Sequence, residues 1–438
     1  MEALRADAVR WTRDMEAALL NQKGADAFHA QDANAAFKHW LASLDSAPSP
    51  GVVHNMQVLG SLVGNLELQD RYKLVAQALY STPLSQPKPV LAIYTGYSPS
   101  FTGKSVELKQ VWGSELAAVR LAEALSKTYD VTVFSMCLNE ETQHNGVTYL
   151  NLSYYGAFSK AKHVDVLIVS RFMHFFLEHE CRAKQVVLWL HDKIPHYMWK
   201  GIALPDTGRP LFVNMLKALD KIVCVSKWQA TEALPEFVGS EVSKTCVIGN
   251  AIYKPYFTTG PNGPKVKARF IFCTDPSRGL HPLMTMFQAI VQQVPHATLH
   301  VYWSVDKLPD TAPHPSITFF DKVPQQELAK RMQEAEIMAY PNEGHETYCM
   351  AALEAQAAGC VVVCRDFSGV AETVGERGIL VPGPVIDEDW IKRATEECLK
   401  LLSDESRMAH LSEKSRAWAL EQTWEKRGIE WTDMLVGL

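Results

Sequence analysis

The chain has 438 residues, with 43 Lys and Arg against 49 Asp and Glu and nine cysteines. A formal charge of −6 leaves no basic excess for a phosphate backbone, which argues against nucleic acid as a partner. The cysteines are odd in number and lack both C-x2-C pairs and a dense even spacing, which argues against zinc ribbons and secreted disulfide frameworks and for a reducing cytoplasm.

In chain order, residues 1 to about 85 hold helical patterns and no convincing strand. The opening MEALRADAVRWTRDMEAALL alternates charge with apolar residues and has no signal-peptide pattern. No stretch of the chain approaches the roughly 20 apolar residues of a membrane span. The expected location is cytoplasmic. Peripheral membrane attachment is the alternative, with Phe172, Met173, Phe175 and Phe176 as anchor instead of core. The helical module ends in STPLSQPKP, where Pro83, Pro87 and Pro89 make a linker. Within it Ala36, Trp40, Ser43 and Pro48, with Gly24 before them, resemble one degenerate tetratricopeptide repeat. A protein-docking role for residues 1–85 and a simple helical cap are both open.

From Val90 the texture becomes short β-branched and aromatic runs between amphipathic helices, the pattern of parallel strands with crossovers. The first series is VLAIY, VTVF, VDVLIVS, QVVLWLH, KIVCVS and TCVIGN. A second follows the hydrophilic TTGPNGPKVKA, with ARFIFCT, TLHVYWS, SITFFD, EIMAYP, CVVVCRD and GILVPG. The expected fold is α/β: two Rossmann-like domains behind a small all-α module, with chemistry in the loops beyond the strands' carboxyl ends.

The most informative segment is YPNEGHETYCMAALEAQAAGCVVVCRDFSGVAETVGERGILVPG, from Tyr340. A helix expected to begin close to Thr347 would turn the amides of Thr347, Tyr348 and Cys349 toward an anion such as a phosphate. Glu346 would sit at its mouth and Glu354 about two turns further in, within about 80° around the axis. By itself this spacing also suits two ordinary helix-forming glutamates, the first favourable at a helix start.

The segment resembles the retaining glycosyltransferases of family 4, whose signature is Glu, seven residues, Glu, then small residues, Gly and a β-branched strand. Glu346, Leu353, Glu354, Ala355, Ala358, Gly359 and valines 361 to 363 fall in register, as do Ser368, Gly369, Glu372 and Gly378 to Leu380. The resemblance covers roughly residues 90–438 and implies the two-domain GT-B architecture. It implies that Glu346 binds donor-sugar hydroxyls, that Glu354 binds the ribose hydroxyls, and that the amides of Thr347, Tyr348 and Cys349 hold the distal phosphate. A carboxylate suits vicinal diols because it accepts two charge-assisted hydrogen bonds.

Weaker matches extend the likeness. Gly113 and Ser114 fall in the family's first glycine loop, where backbone can approach a phosphate or sugar closely, with Glu115 beside them. His191 takes the place of a donor-contacting imidazole at a strand end, and Asn250 an Asn near the hinge. Arg278 before Gly279 stands for a Lys-Gly pair, and a guanidinium clamps a diphosphate bidentately. A second basic residue expected earlier is replaced by Cys273 and Thr274. The run TWEKRGIEWTDML resembles a helix that returns to the first domain, so the expected divisions are 1–87, 88–258, 259–418 and 419–438.

The implied reaction takes a UDP- or GDP-sugar, or a similar donor, to a glycan, lipid-linked or protein-linked hydroxyl. Retention is by front-side attack, with no metal or other cofactor. Glu346, His191 and Arg278 would be the catalytic set. Tyr97, Phe101 and Trp112 could stack on a sugar acceptor. Three rivals compete. Gly103, Lys104 and Ser105 suggest a P-loop, but Ser98 stands where its first Gly is needed. Asp387 and Asp389 form an Asp-x-Asp of the metal-dependent GT-A kind, or a helix cap. The third is an interaction protein with a retired enzyme body.

Overall fold

The computed structural model describes residues 20–27, 30, 32–46, 56, 88–108, 111–137, 143–193, 198–199, 202–203, 214–259, 264–309, 314–383 and 386–438. Most of the expected N-terminal module, Pro48, Pro83 and Pro87 included, lies outside them. Of that module, residues 20–27 are helical and α1 spans Ala33–Ser46. The Trp40 indole lies so close to Gly24 that a Cβ there would sit 2.4 Å from the ring, and its N–H donates to the Asn21 carbonyl at 3.1 Å.

The six runs of the first series, with two further strands, form an eight-stranded sheet. Its strands are β1 (Val90–Tyr94), β2 (Asp130–Ser135), β3 (Gln143–His144), β4 (Val147–Asn151), β5 (Val164–Ser170), β6 (Ala183–Trp189), β9 (Lys221–Cys224) and β10 (Thr245–Val247). Across the sheet they run in the order β10-β9-β6-β5-β1-β2-β4-β3. β1 pairs in parallel with β2 on one side and β5 on the other. β1 and β5 are buried almost throughout, as expected of parallel strands covered on two faces. Helix α2 (Gly113–Leu125) connects β1 to β2, and α3 (Tyr155–Ala161) connects β4 to β5. The strands β7 (Met198–Trp199) and β8 (Ile202–Ala203) form a separate antiparallel pair.

The second series forms a six-stranded, wholly parallel sheet. The strands are β11 (Arg269–Phe272), β12 (Thr298–Tyr302), β13 (Ile317–Phe320), β14 (Ile337–Tyr340), β15 (Val361–Arg365) and β16 (Ile379–Val381), in the order β13-β12-β11-β14-β15-β16. The crossover helices are α4 (Leu280–Gln293), α5 (Gln325–Glu334), α6 (Met350–Ala357) and α7 (Ser368–Val374). Three helices close the chain: α8 (Glu388–Ser403), α9 (Glu405–Leu420) and α10 (Trp424–Val436). Counted from β11, the order is 3-2-1-4-5-6, the doubly wound Rossmann arrangement. The fold is thus the expected pair of Rossmann-like sheets.

The final helix does not stay with the strands that precede it. The Trp431 indole meets Trp189 at 5.3 Å, a Cβ on Gly428 would lie 2.9 Å from that of Ala124, and Ile252 bridges in parallel to Thr423. The chain divides into two compact units. One holds Met1–Gly103, Leu125–Val187 and Tyr197–Ala218, the other Lys104–Ala124, Leu188–His196 and Leu219–Leu438.

Candidate functional site

In a doubly wound sheet the crevice opens where neighbouring strands send their connections opposite ways, here at the carboxyl ends of β11 and β14. The loop after β11 turns through Asp275, whose carboxylate accepts from the Ser277 amide at 3.0 Å and hydroxyl at 2.7 Å. Gly279 follows at φ +108°, where a Cβ would lie 2.2 Å from the Pro341 carbonyl oxygen. The two loops are therefore in backbone contact, and only glycine permits it.

That contact delivers Arg278 to Glu346. The guanidinium Nη1 donates to Glu346 Oε1 in an ion pair, and the Tyr340 hydroxyl donates to the same oxygen at 2.7 Å. The Glu346 backbone is held as firmly. Its amide donates to Ser368 Oγ at 3.1 Å, and its carbonyl accepts from the Gly369 amide at 2.7 Å. A Cβ on Gly369 would meet the Thr347 carbonyl at 2.1 Å. Glu346 is 7 % exposed, whereas the Arg278 side chain keeps half its surface in solvent.

The following helix corrects the sequence reading. It begins at Met350, not close to Thr347, and is preceded by Cys349 in the left-handed region at φ 68°. Ser368, beneath Glu346, has φ 60°. Two non-glycine residues in this sparsely populated region mark the loop as held by its surroundings. Because Glu346 lies outside the helix, the shared-face argument for Glu346 and Glu354 fails. Loop packing at the sheet's end sets the position of Glu346 instead. Thr347 Oγ1 donates to the His191 carbonyl at 2.6 Å, and the His191 ring lies over Trp189 with centroids 4.2 Å apart. Tyr348 is buried against Gly249, and its carbonyl accepts from Thr373 Oγ1. Gly113 opens α2 with its Cβ direction 3.5 Å from Met350 Sδ, so the amino ends of α2 and α6 approach each other. Ser114 Oγ donates to Glu115 at 3.1 Å.

Glu354, in the second turn of α6, is 6 % exposed and accepts from Gln325 Nε2 at 2.5 Å. Burial pushes its carboxyl up to about 7, against the opposing pull of the Gln325 hydrogen bond and the Arg120 charge. A buried carboxyl with a value raised this far is a candidate for a functional position.

Sequence reasoning missed Gln325, Tyr340 and Lys322 as site residues. Lys322 Nζ lies 4.0 Å from the Trp303 ring centroid and 5.7 Å from that of Trp112, beside Gly113. Burial and the neighbouring Lys307 hold its ammonium below the usual range. Asp275 has the converse shift: despite burial, the Ser277 hydrogen bonds and the charges of Lys307 and Arg278 keep its carboxyl low. Arg278, Lys307 and Lys322 thus gather around Asp275. Cys273 is buried with its thiol pushed up, and Thr274 Oγ1 is buried without a hydrogen-bond partner among the described residues.

Other sequence candidates have structural duties. Glu372 accepts from the Lys227 and Trp228 amides, both at 3.1 Å, as a helix cap. Asp387 caps α8 through the Trp390 amide at 2.8 Å, and Asp389 pairs with Arg393 at 3.1 Å. A Cβ on Gly103 would sit 2.5 Å from the His144 ring. Phe101, Met173 and Phe175 are core, so neither an acceptor platform at Phe101 nor an anchor built on the other two is available. Among the described residues no helix is long and apolar enough to cross a membrane.

Residues 269–404 match the family described as Glycosyl transferases group 1. None of the curated proteins matches. Three solved structures share the fold. Sucrose-phosphate synthase from Thermosynechococcus elongatus is 15 % identical, with TM-score 0.61 over 79 % of this chain and 98 % of that one. Anabaena HepE in complex with UDP-glucose is 14 % identical, with TM-score 0.59 over 80 % and 100 %. The catalytic domain of starch synthase IV from Arabidopsis thaliana, bound to ADP and acarbose, is 12 % identical, with TM-score 0.56 over 80 % and 99 %. The chain therefore carries a glycosyltransferase domain over the six-stranded sheet, and is an enzyme of that class.

Proposed function

We propose that the chain transfers a hexosyl group from a nucleoside-diphosphate sugar to an acceptor hydroxyl, with retention at the anomeric carbon and without a metal. The observation that carries the reading is the Arg278–Glu346 ion pair at the junction of β11 and β14, with Glu354 eight residues further on. HepE in complex with UDP-glucose and starch synthase IV bound to ADP support a nucleotide donor of this kind.

In this reading Glu354 accepts both ribose hydroxyls and Glu346 accepts hydroxyls of the donor sugar. The amides of Thr347, Tyr348 and Cys349 bind the distal phosphate, with the α6 amino end behind them. Arg278 leans on Glu346 and presents its solvent-facing edge to the diphosphate, while Gly113 and Ser114 allow close backbone approach. His191, fixed through its carbonyl by Thr347, faces the sugar. The bond from anomeric carbon to phosphate oxygen breaks as the acceptor oxygen bonds the same face. The acceptor proton passes to the departing phosphate oxygen, and the nucleoside diphosphate leaves. The protein contributes positioning and charge stabilisation.

Calorimetric titration with UDP, GDP and ADP in chelator, repeated on Glu354→Ala, tests the donor site. Saturable binding of one nucleotide, weakened by the substitution, is expected; binding of none refutes the reading. With the donor identified, the anomeric configuration of the product decides retention, and an adduct trapped on a side chain would overturn front-side attack.

A further inference from the structure

The Glu354 side chain is buried and accepts one hydrogen bond among the described residues, from Gln325. A single neutral donor is a modest offset for a desolvated charge, so the cations that face the carboxyl decide how readily it ionises. The elements packed around it bring few. From α5 comes the uncharged Gln325 amide, and from the end of β11 the Cys273 thiol, which burial and Glu354 itself push up and keep protonated. On another side of α6, Gln356 Nε2 donates to the Thr373 carbonyl of α7 at 3.1 Å. Lys265 and Arg416, the cations near the carboxyl end of α6, are committed to the backbone carbonyls of Ala358 and Phe257. The remaining neighbour is α2, and it brings Arg120.

Helical geometry aims Arg120 at α6. Gly113, which opens α2, has its Cβ direction 3.5 Å from Met350 Sδ, at the start of α6. Seven residues return to within about 20° around a helix axis and four to within about 40°, so Arg120 shares the Gly113 face of α2 and Glu354 the Met350 face of α6. The two faces that touch at their amino ends thus carry a guanidinium and a carboxylate further in. The Arg120 charge accordingly draws the Glu354 carboxyl down against the effect of burial.

Arg120 is itself 4 % exposed and firmly held. Its Cζ lies 4.0 Å from the Tyr253 ring centroid, Nη2 donates to the Tyr256 hydroxyl at 3.2 Å, and Nη1 pairs with Glu123 at 2.8 Å. The Tyr256 carbonyl in turn accepts at 3.0 Å from Gln333, on the same α5 helix that presents Gln325. Arg120 Nε is buried with no hydrogen-bond partner among the described residues. A buried cation left incompletely bonded is costly, and methionine would cover the tyrosines without that cost. Packing therefore does not explain the charge.

We infer that Arg120 is a positioning residue of the donor site: steadied by Tyr253 and Tyr256, it supplies the counter-charge that keeps the Glu354 carboxylate ready to accept ribose hydroxyls. It acts through Glu354 and has no need to touch the nucleotide. The inference deepens the proposed donor site and rests on that reading.

The test is nucleotide affinity between pH 6 and 9, measured by calorimetry on the full chain with whichever of UDP, GDP and ADP the wild type binds. Without the cation the Glu354 carboxyl rises further, and its ionised fraction shrinks on the acid side. Arg120→Met should therefore bind about tenfold more weakly than wild type at pH 6 and nearly equally at pH 9, the effect of moving the midpoint up by about one pH unit. Ionisation of the nucleotide's own phosphate cancels in that ratio. Arg120→Lys should recover part of the loss, and in a Glu354→Gln background Arg120→Met should change nothing more. A loss equal at every pH, an unchanged profile, or the same loss with Glu354→Gln in place overturns the inference. If Arg120→Met does not fold, Tyr256→Phe decides. It removes only the hydroxyl that holds Nη2 and should move the profile the same way by less; an unmoved profile overturns the inference. Wild-type binding that Glu354→Ala weakens, beside Arg120 variants with no pH-dependent change, refutes this inference alone. Wild-type binding of no nucleotide, or binding indifferent to Glu354→Ala, refutes the donor site and this inference with it.

Discussion

Arg278 and Glu346, 68 residues apart in the chain, meet in an ion pair that joins the loops after the first and fourth strands of the six-stranded sheet. Half of Arg278 remains in water, so the pair contributes little to stability. Its value lies in where it places a cation. Arg278→Ala should leave the melting temperature within a few degrees of wild type but lower kcat/KM by about 100-fold or more, the scale for losing one preorganised charge donor. Thermal melts beside steady-state kinetics check both halves. A large thermal loss with intact turnover would show the pair to be structural.

Glu354 carries a pH signature. Ribose hydroxyls need the ionised carboxylate, and burial raises this carboxyl to about 7. Nucleotide affinity should therefore rise about tenfold per pH unit up to about 7 and flatten above it. Titrations at pH 6, 7 and 8 test this, and Glu354→Gln should abolish the slope. Folding responds oppositely. The folded value lies above the ordinary 4.5, so the group's stabilising contribution is complete below about 4.5 and is lost as pH rises through 7, by about 3 kcal/mol in all.

Gln325 is the brake on that shift, because its amide donates to the ionised form at 2.5 Å. Gln325→Leu should move the midpoint of the affinity profile above the wild-type position, and Gln325→Asn should restore it in part. A uniform loss of affinity at every pH would instead mean that Gln325 only supports packing.

Lys322 is held over Trp303 in a neighbourhood already rich in cations. The carboxylates of Asp275, Asp306 and Asp321 offset part of that charge, and a bound diphosphate would be a further counterion. Lys322→Ala should weaken binding of the nucleoside diphosphate about tenfold, the scale of one charge-assisted hydrogen bond, and leave the matching nucleoside unaffected. An equal loss for both ligands would assign Lys322 to the base or to the tryptophans.

Gly279 is the tightest point of the site. At φ +108° and with a Cβ 2.2 Å from the Pro341 carbonyl, alanine must push the two loops apart. Gly279→Ala should cost about 1–3 kcal/mol of stability and separate Arg278 from Glu346, so turnover should fall together with the melting temperature.

All twelve runs chosen as strands from their β-branched and aromatic content appear in the two sheets. Parallel strands buried on both faces leave such unbroken signatures. The hairpin of β3 and β4 went unread although Asn145-Gly146, at φ 48° and 79°, is a strong short-range turn signal, because its flanking strands are short and mixed in character. In the candidate site, Glu346, Glu354 and Arg278 were singled out through their motifs, and the Arg278–Glu346 contact is what the structure adds. The start of α6 was not legible, since Thr347 to Cys349 are compatible with a helix and only tertiary packing pulls them out of it. Tyr340, Gln325 and Lys322 act on partners brought near by the sheet, and no local pattern records such proximity.

The last helix gives the order of synthesis a physical meaning. The seat that Trp431 and Gly428 fill beside Trp189 and Ala124 is made by residues that leave the ribosome far earlier. Until residues 424–436 arrive, Trp189 and Ala124 lack the partners that cover them in the fold. The protein's early strands can pair, but they stay exposed to mispairing and to chaperones until residues 424–436 have been made.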